Sequence, residues 1–509
     1  MPGSQPALFE LRAGPFVRGE LRVLELSGRE ALSKLFSFEI MFDSDVPAWE
    51  LEAGLLGQPA TLVMQAPRNP PRVLFGTAAW VRVENAWKDD HAARRYTLRL
   101  VPTMWKLGKR VNTRIFQDQS AADVITTVMV ESGLAVRFDL STQLPVRDYC
   151  VQYEESDLAF ITRLLAEAGC YFYFEPPVGI LEQLGLGAEG AVATAVAGAV
   201  SSMSSVAGAD VGTVAGVLGF VDTLVVSDRA SFYPAIAGAL EDQVIGRVAG
   251  AVGNPVVSNL AATAPTLVHR DPEGMVIDGE RTVTRFALRR SLRSSAVMLR
   301  DYLYERPLFD ATGVADPSDI AAAASKLGAA ALNDVGAALR GGASGSVGAA
   351  AFDLLATMPA DFKAREVYRH QSDFSEPDAQ KPNAQRQLEQ HRQRALQAEG
   401  KSFCRRLSSG HKFTLAEHEE ARLNRVWVVT GVKHRGITIE WARLTGRGDE
   451  RLWQYQNTFT CAPAELTIRP KRPPRRLMQV ADTAVVVGPD GQEVYTDAMG
   501  RIKVQFHWN

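Results

Sequence analysis

Residues 149–174 read YCVQYEESDLAFITRLLAEAGCYFYF, and two different periodicities meet inside that stretch. Ser156 stands where a helix N-cap belongs, and Glu154 and Glu155 precede it, where acids suit the positive end of a helix dipole. Leu158, Ile161, Leu164, Leu165 and Ala168 then recur at helical spacing and form one apolar stripe. Gly169 supplies the stop. Tyr171-Phe172-Tyr173-Phe174 follows as a strongly apolar strand. An upstream segment obeys the same logic. Ser120-Ala121-Ala122-Asp123 resembles a capping box, Val124, Ile125, Val128 and Met129 share one face, and Gly133 ends the helix.

On either side of these helices the chain is dominated by short strands. Phe16–Leu26, Leu35–Phe42, Thr61–Met64, Val73–Val83 and Tyr96–Leu100 are runs of Val, Phe, Leu and Tyr broken by Gly, Pro and Asp, a spacing that predicts a barrel or sandwich. Further strands are expected at Thr223–Val226, Thr282–Leu288, Ala296–Leu303, Ser402–Leu407, Lys412–Leu415, Arg425–Val432, Gly436–Trp441 and residues 452–461. The polar run 385–401 (QRQLEQHRQRALQAEGK) is expected to be helical. The fold class is therefore mainly β with α, an α+β chain.

Three blocks of Ala, Gly, Val and Ser interrupt that scaffold, near 176–222, 235–264 and 308–364. Long insertions between strands cost little closure entropy. Gly190 to Ala209 is uncharged and about long enough to span a bilayer. Its residues are only weakly apolar, so a small-residue helical hairpin is favoured over a membrane span.

Composition narrows the function classes. A chain of 509 residues allows roughly two to four domains. A formal charge of −2 argues against nucleic acid or anionic membrane as a partner chosen by bulk electrostatics. The basic run Arg469 to Arg476 (RPKRPPRR) is interleaved with prolines and suits a stiff linker. Cys150, Cys170, Cys404 and Cys461 show no CxxC spacing and are expected as buried free thiols of a reducing compartment. The N-terminal residues lack a charged region followed by an apolar one, so export is expected to use a route other than a secretory signal.

Chemistry-bearing motifs are scarce. His411, His418 and His434, with Glu417 and Glu419 nearby, invite a metal reading. The first two are seven positions apart, which fits neither a helical pair nor a zinc-finger loop, and strand-end polar histidines are the expectation. Glu399-Gly400-Lys401-Ser402 ends like a phosphate loop, but Ala395 stands where its first glycine belongs, after a stretch expected to be helical. GxSxG, HExxH and dinucleotide fingerprints are missing. No catalytic, cofactor-binding or metal residue is assigned, and the chain is expected not to be an enzyme.

Tyr149 to Phe160, then Arg163-Leu164-Leu165 and Gly169, closely resemble a signature of the VgrG family, the type VI secretion spike proteins related to the hub and spike of contractile phage tails. Further matches follow in order: Val283-Thr284-Arg285-Phe286, Leu299-Arg300-Asp301-Tyr302, Glu305-Arg306-Pro307, Gly410 to Leu415 with His418 and Asn424, Val432 to Gly436, Asn457-Thr458-Phe459, Arg469-Pro470 and Thr483 to Trp508. The resemblance implies tandem β-barrel hub domains with associated helices, a homotrimer capping a tail-tube (Hcp-like) ring, and then the start of an oligonucleotide/oligosaccharide-binding (OB) barrel. It also implies a PAAR-like tip partner through a needle, effectors or adaptor chaperones as cargo, assembly in the cytoplasm and secretion through the machine. It implies neither cofactor nor nucleic acid, and leaves membrane contact to the inserts. The His residues and the YEESD segment become scaffold-positioning groups.

The expected division is 1–115 first hub barrel, 116–175 helical and hairpin region, 176–222 insert, 223–461 second hub barrel, 462–481 linker and 482–509 the start of the OB-type barrel. In that last segment Val485–Val487 and Arg501–Trp508 read as strands around a Gly488-Pro489-Asp490-Gly491 turn. Ile502, Val504 and Phe506 alternate with Lys503, Gln505 and His507, so one face expects a core. Two strands alone are marginal, and the segment is expected to be the cut-off beginning of a larger barrel.

Overall fold

The computed structural model describes residues 8–16, 18–66, 69–84, 94–177, 180, 221–236, 265–270, 279–302, 306, 308–316, 365–370, 380–447, 454–474, 481–489, 491 and 495–508. Six strands come first: β1 (Phe9–Ala13), β2 (Arg22–Ala31), β3 (Ser37–Ser44), β4 (Pro59–Ala66), β5 (Asn69–Val83) and β6 (Arg94–Val101). They pair antiparallel in the order β1-β4-β5-β6-β3-β2. Strict alternation sends Phe38, Ile40 and Phe42 of β3 and Tyr96, Leu98 and Leu100 of β6 into one core, where all are fully buried. Burying side chains of this size contributes about 1.5–3 kcal/mol each. The sheet curls until Phe9 lies over Gly436 on a distant strand, where a Cβ would stand 2.6 Å from Phe9 Cζ. A helix at Ala48–Leu55, which the strand-only reading of this region overlooked, seals the core with Leu51 and Leu55.

The middle region holds β7 (Val111–Phe116), β8 (Gln119–Ser120), β9 (Ala135–Asp139), β10 (Val146–Arg147), β11 (Cys150–Ser156), β12 (Tyr171–Glu175) and β13 (Thr223–Ser227). Both helices start and stop where their caps require. Ala121–Glu131 opens on a true capping box, in which the Asp123 N–H donates to Ser120 Oγ and the Ser120 N–H donates to the Asp123 carboxylate. Asp157–Ala168 opens on Ser156 and closes on Gly169 at φ +71°, a left-handed cap that costs any Cβ-bearing residue strain. Their apolar faces pack on the sheet β12-β13-β9. Glu175 pairs with Thr223, so residues 176–222 connect two adjacent antiparallel strands. The strand expected to open the second barrel thus hydrogen-bonds to the region before the insert.

The remaining strands are β14 (Thr266–His269), β15 (Thr282–Arg290), β16 (Ala296–Asp301), β17 (Ala311–Ala315), β18 (Glu366–His370), β19 (Leu396–Ser402), β20 (Lys412–Ala416), β21 (Val426–Ile437), β22 (Tyr455–Pro463), β23 (Ala484–Val487) and β24 (Lys503–Phe506). The run β21-β20-β14-β15-β19-β22 returns to β21 through a further β21–β22 ladder, which closes a six-stranded barrel around Phe413, Trp427, Phe459 and Leu415. β2 pairs with β21, so the opening sheet and the barrel form one twelve-stranded sheet. A satellite sheet β17-β16-β18 is backed by the helix Gln380–Arg392.

Three local expectations are corrected. The helix expected over 385–401 ends at Arg392, and β19 takes over because Leu396, Ala398, Gly400 and Ser402 alternate inward against Gln397, Glu399 and Lys401. The next residues, 403–411, are loop and not the strand expected at Ser402–Leu407. The break expected between Val432 and Gly436 is absent: β21 runs unbroken to Ile437, and Ile439–Leu444 is a short helix holding Trp441 beneath Arg95 at 4.1 Å. The sequence 190–209, with its competing hairpin and membrane-span readings, lies outside the described residues. Among the described residues no helix is long and apolar enough to cross a membrane.

Candidate functional site

The ladder joining β2 to β21 encloses a buried cluster of polar side chains. Leu26, Gly28 and Glu30 share one parity on β2, as do Val432, His434 and Gly436 on β21, so Glu30 and His434 both point inward. Arg72 reaches them from β5. Its guanidinium pairs with Glu30 and donates to the Leu407 carbonyl at 2.6 Å. The second Glu30 oxygen accepts from the Ser409 N–H at 3.3 Å. His434 Nε2 lies 2.6 Å from Glu30 and Nδ1 lies 2.6 Å from the Tyr455 hydroxyl. Asn457 completes the cluster by donating to the Cys404 carbonyl at 2.7 Å. Five residues from both lobes, Glu30, Arg72, His434, Tyr455 and Asn457, are thereby linked to one another and to the 403–411 loop.

Electrostatics settles the protonation pattern. Burial resists the Glu30 charge, yet the Arg72 guanidinium and the His434 hydrogen bond outweigh it and hold the carboxyl at about 2. Burial pushes the His434 imidazole below its usual value, against the pull of Glu30. A neutral ring that donates from Nε2 to Glu30 and accepts at Nδ1 from Tyr455 satisfies both short contacts of the imidazole. The cluster is a lock that ties the two lobes together.

The YEESD segment builds a second lock. β11 bulges against β7 between Gln152 and Glu155, with Glu154 at φ +42°, and this bulge turns the chain into the helix. Asp157 is fully buried, pairs with Arg110 and accepts from Gln152 Nε2 at 2.7 Å. Gln152 in turn accepts from Arg114 Nε at 3.0 Å. Arg163 returns about two helical turns later to Glu155 at 2.9 Å and to the Val151 carbonyl at 3.0 Å.

Arg469, at the head of the proline-rich run, is a clamp within the core as well as the start of a connection. It pairs with Glu389 at 2.8 Å and donates to the Gly169 carbonyl at 2.9 Å and the Asp228 carbonyl at 2.7 Å. It therefore ties the end of the Asp157–Ala168 helix to the Gln380–Arg392 helix. Beyond it, β23 and β24 pair, and Trp508 meets the Tyr153 ring at 5.8 Å. Val486 pairs with Val504, and Val486, Ile502 and Val504 are 56%, 53% and 39% exposed, so among the described residues the face expected to lie in a core is largely uncovered.

The three histidines singled out from the sequence do not converge. His434 is interior to its strand, a correction to the strand-end expectation. His411 is half-buried against the Tyr173 ring and contacts the Ser409 carbonyl, and the His418 ring lies tilted 4.4 Å from that of His269. Among the described residues no group of three or more His, Cys, Asp or Glu could hold a metal ion. All four cysteines are free and buried. Gly400, the phosphate-loop-like glycine, is there because a Cβ would stand 2.2 Å from the Phe459 ring. Sequence reasoning missed Glu30 and Arg72. The parity of Glu30 with Leu26 was the available signal; Arg72 offered none.

Two β lobes share one continuous sheet, and buried polar groups pair across the seam between them. The chain belongs to the phage tail baseplate hub (GPD) family, whose profile matches residues 29–214 and 243–438. It is 29% identical to the type VI secretion system spike protein VgrG4b of Pseudomonas aeruginosa over 97% of this chain and 48% of that protein. It is 24% identical to the actin cross-linking toxin VgrG1 of Vibrio cholerae over 81% of this chain and 28% of the toxin. A type VI secretion component of E. coli, described as structurally similar to the T4 bacteriophage tail proteins gp27 and gp5, superposes with a TM-score of 0.54 at 17% identity, covering 98% of this chain and 89% of that one. The chain spans about half the length of the VgrG4b relative it matches.

Proposed function

We propose that this chain is the hub of a type VI secretion spike, assembling as a homotrimer that caps an Hcp-like tube ring and carries effectors across target membranes. The observation that carries this reading is the β2–β21 ladder with its Glu30–Arg72–His434 lock, in a chain of the baseplate hub family. A part that transmits thrust needs its two lobes to move as one body, and a continuous sheet with an internally paired seam provides that. The role we assign is mechanical and non-enzymatic. The domains we propose follow the division 1–115, 116–175, 176–222, 223–461, 462–481 and 482–509, except that Thr223–Ser227 joins the sheet of the 116–175 region and the last barrel strand runs to Pro463, with 482–509 contributing to an OB-type barrel. A PAAR-like tip, effectors and adaptor chaperones are the other partners, with assembly in the cytoplasm and release through the machine.

Light scattering on the purified chain, and tube-protein release from cells with and without it, test the reading. A trimer and loss of release on deletion support it; a monomer together with unchanged release refutes it. A phage-tail baseplate hub is the same object in another machine, separated by whether release accompanies a type VI sheath. The toxin relative favours a second reading, an effector-bearing spike, in which the small-residue inserts bind a toxin or enter a membrane. Liposome binding that vanishes on deletion of 178–220 would support the membrane form, and its absence in the intact chain would reject it.

A further inference from the structure

The outer wall of the barrel carries a row of cations with no internal use. Register sets Arg285 of β15 opposite Lys401 of β19, Lys401 opposite Thr458 of β22, Thr458 opposite Lys433 of β21, and Lys433 opposite Arg29 of β2. All five side chains are exposed. At about 4.8 Å per strand, the row is roughly 19 Å long. None of its four cations forms an ion pair with a described residue.

Like charges directly opposite each other destabilise a ladder, and this row contains two such pairs, Arg285–Lys401 and Lys433–Arg29. The same sheet does otherwise nearby. Arg99 faces Glu39 at 2.7 Å and Arg95 faces Asp43 at 3.5 Å, opposite signs on adjacent strands. The repulsive row thus persists where the sheet otherwise compensates its charges, which points to an anionic partner from outside.

The row's other members narrow that partner. Thr458 lies within it, and Gln456 and Ser27 flank it through their register with Arg435. There is no aromatic ring in the row on which a nucleic-acid base could stack and no apolar side chain to enter a bilayer. We propose that the Arg285–Lys401–Lys433–Arg29 row docks an acidic segment of a different protein, presenting three or four carboxylates along one face. About three turns of helix would match its length.

The test uses the full chain and a labelled ten-residue polyglutamate peptide, followed by fluorescence anisotropy at low and moderate salt. Saturable binding that weakens several-fold with salt is expected. Arg29→Thr with Lys433→Thr should lose at least roughly tenfold in affinity, since two of four cations go. Lys471→Ala with Lys503→Ala removes the same charge elsewhere and should change binding by less than about twofold. The melting temperature of the threonine double variant should be unchanged or raised, because a repulsive pair is relieved. Absence of peptide binding, or equal binding by the threonine variant, overturns the proposal. So does tighter binding of oligothymidylate or phosphatidylglycerol vesicles than of polyglutamate.

Discussion

Removing Arg72 should invert the pH dependence of the seam. Arg72→Met keeps most of the aliphatic stem but deletes the cation that pairs with Glu30 and the donor to the Leu407 carbonyl. In the parent, Glu30 sits at about 2 against a usual 4.5. Its folded value is depressed, so its stabilisation is fully present above 4.5 and is lost as pH falls towards 2. That interval is worth about 3 kcal/mol. Without Arg72, burial becomes the dominant influence and drives the carboxyl above 4.5. The sign then reverses: the variant is most stable in acid and loses stability as pH rises through the new value. At pH 7 the deficit should be about 3–5 kcal/mol, the range for removing one partner of a buried pair. Near pH 4.5 it should shrink to about 1–2 kcal/mol, the cost of the orphaned carbonyl. Melting temperatures of parent and variant from pH 4.5 to 8 give the measurement, with a gap of roughly 3–5 °C at neutral pH that narrows in acid. Glu30→Gln on top of Arg72→Met should recover much of the neutral-pH loss. A gap that stays constant with pH, or no recovery in the double variant, refutes the lock.

Asp222 is fully buried and accepts the Thr103 N–H with both oxygens at 3.2 and 3.1 Å, and burial raises its carboxyl from 3.8 to about 6. A raised carboxyl favours the folded state in acid and costs up to about 3 kcal/mol once pH passes 6, so Asp222→Asn should raise the melting temperature at pH 7 and flatten its slope between pH 4 and 7. Gly400→Ala should cost about 1–3 kcal/mol by overpacking against Phe459, and Phe459→Leu in the same chain should restore part of it; equal melting temperatures for all three would show that the site yields freely. Arg469→Gln should speed amide exchange at Gly169–Tyr171 and along the Gln380–Arg392 helix by roughly tenfold or more, since it orphans two carbonyls and Glu389; unchanged protection there would remove the clamp.

Helices and most strands were legible because their signals are short. The Ser120 capping box, the Ser156 cap and the Gly169 stop are each contained within one turn of chain, and the structure places both helices between those signals. Misreadings fell where two local signals competed. The polar run 385–401 has helix-favouring residues throughout, but its last third faces a barrel core, and alternation overrode propensity. At β21, strands were expected to stop at Val432 and resume at Gly436, but the buried His434 between exposed Lys433 and Arg435 carries the alternation through.

By itself the sequence determined the α+β class, the caps of both central helices, the presence of three small-residue blocks between strands, and the resemblance to a secretion hub. Only the tertiary structure decided how the lobes are joined, that the barrel closes through β21–β22, and that Arg469 is an anchor. The physical reason is range. Glu30 and His434 are 404 positions apart and meet at 2.6 Å, and Arg469 reaches back 300 positions to Gly169. Capping and periodicity are written in neighbours along the chain, whereas a buried charge reveals its purpose only once folding has brought its partners beside it.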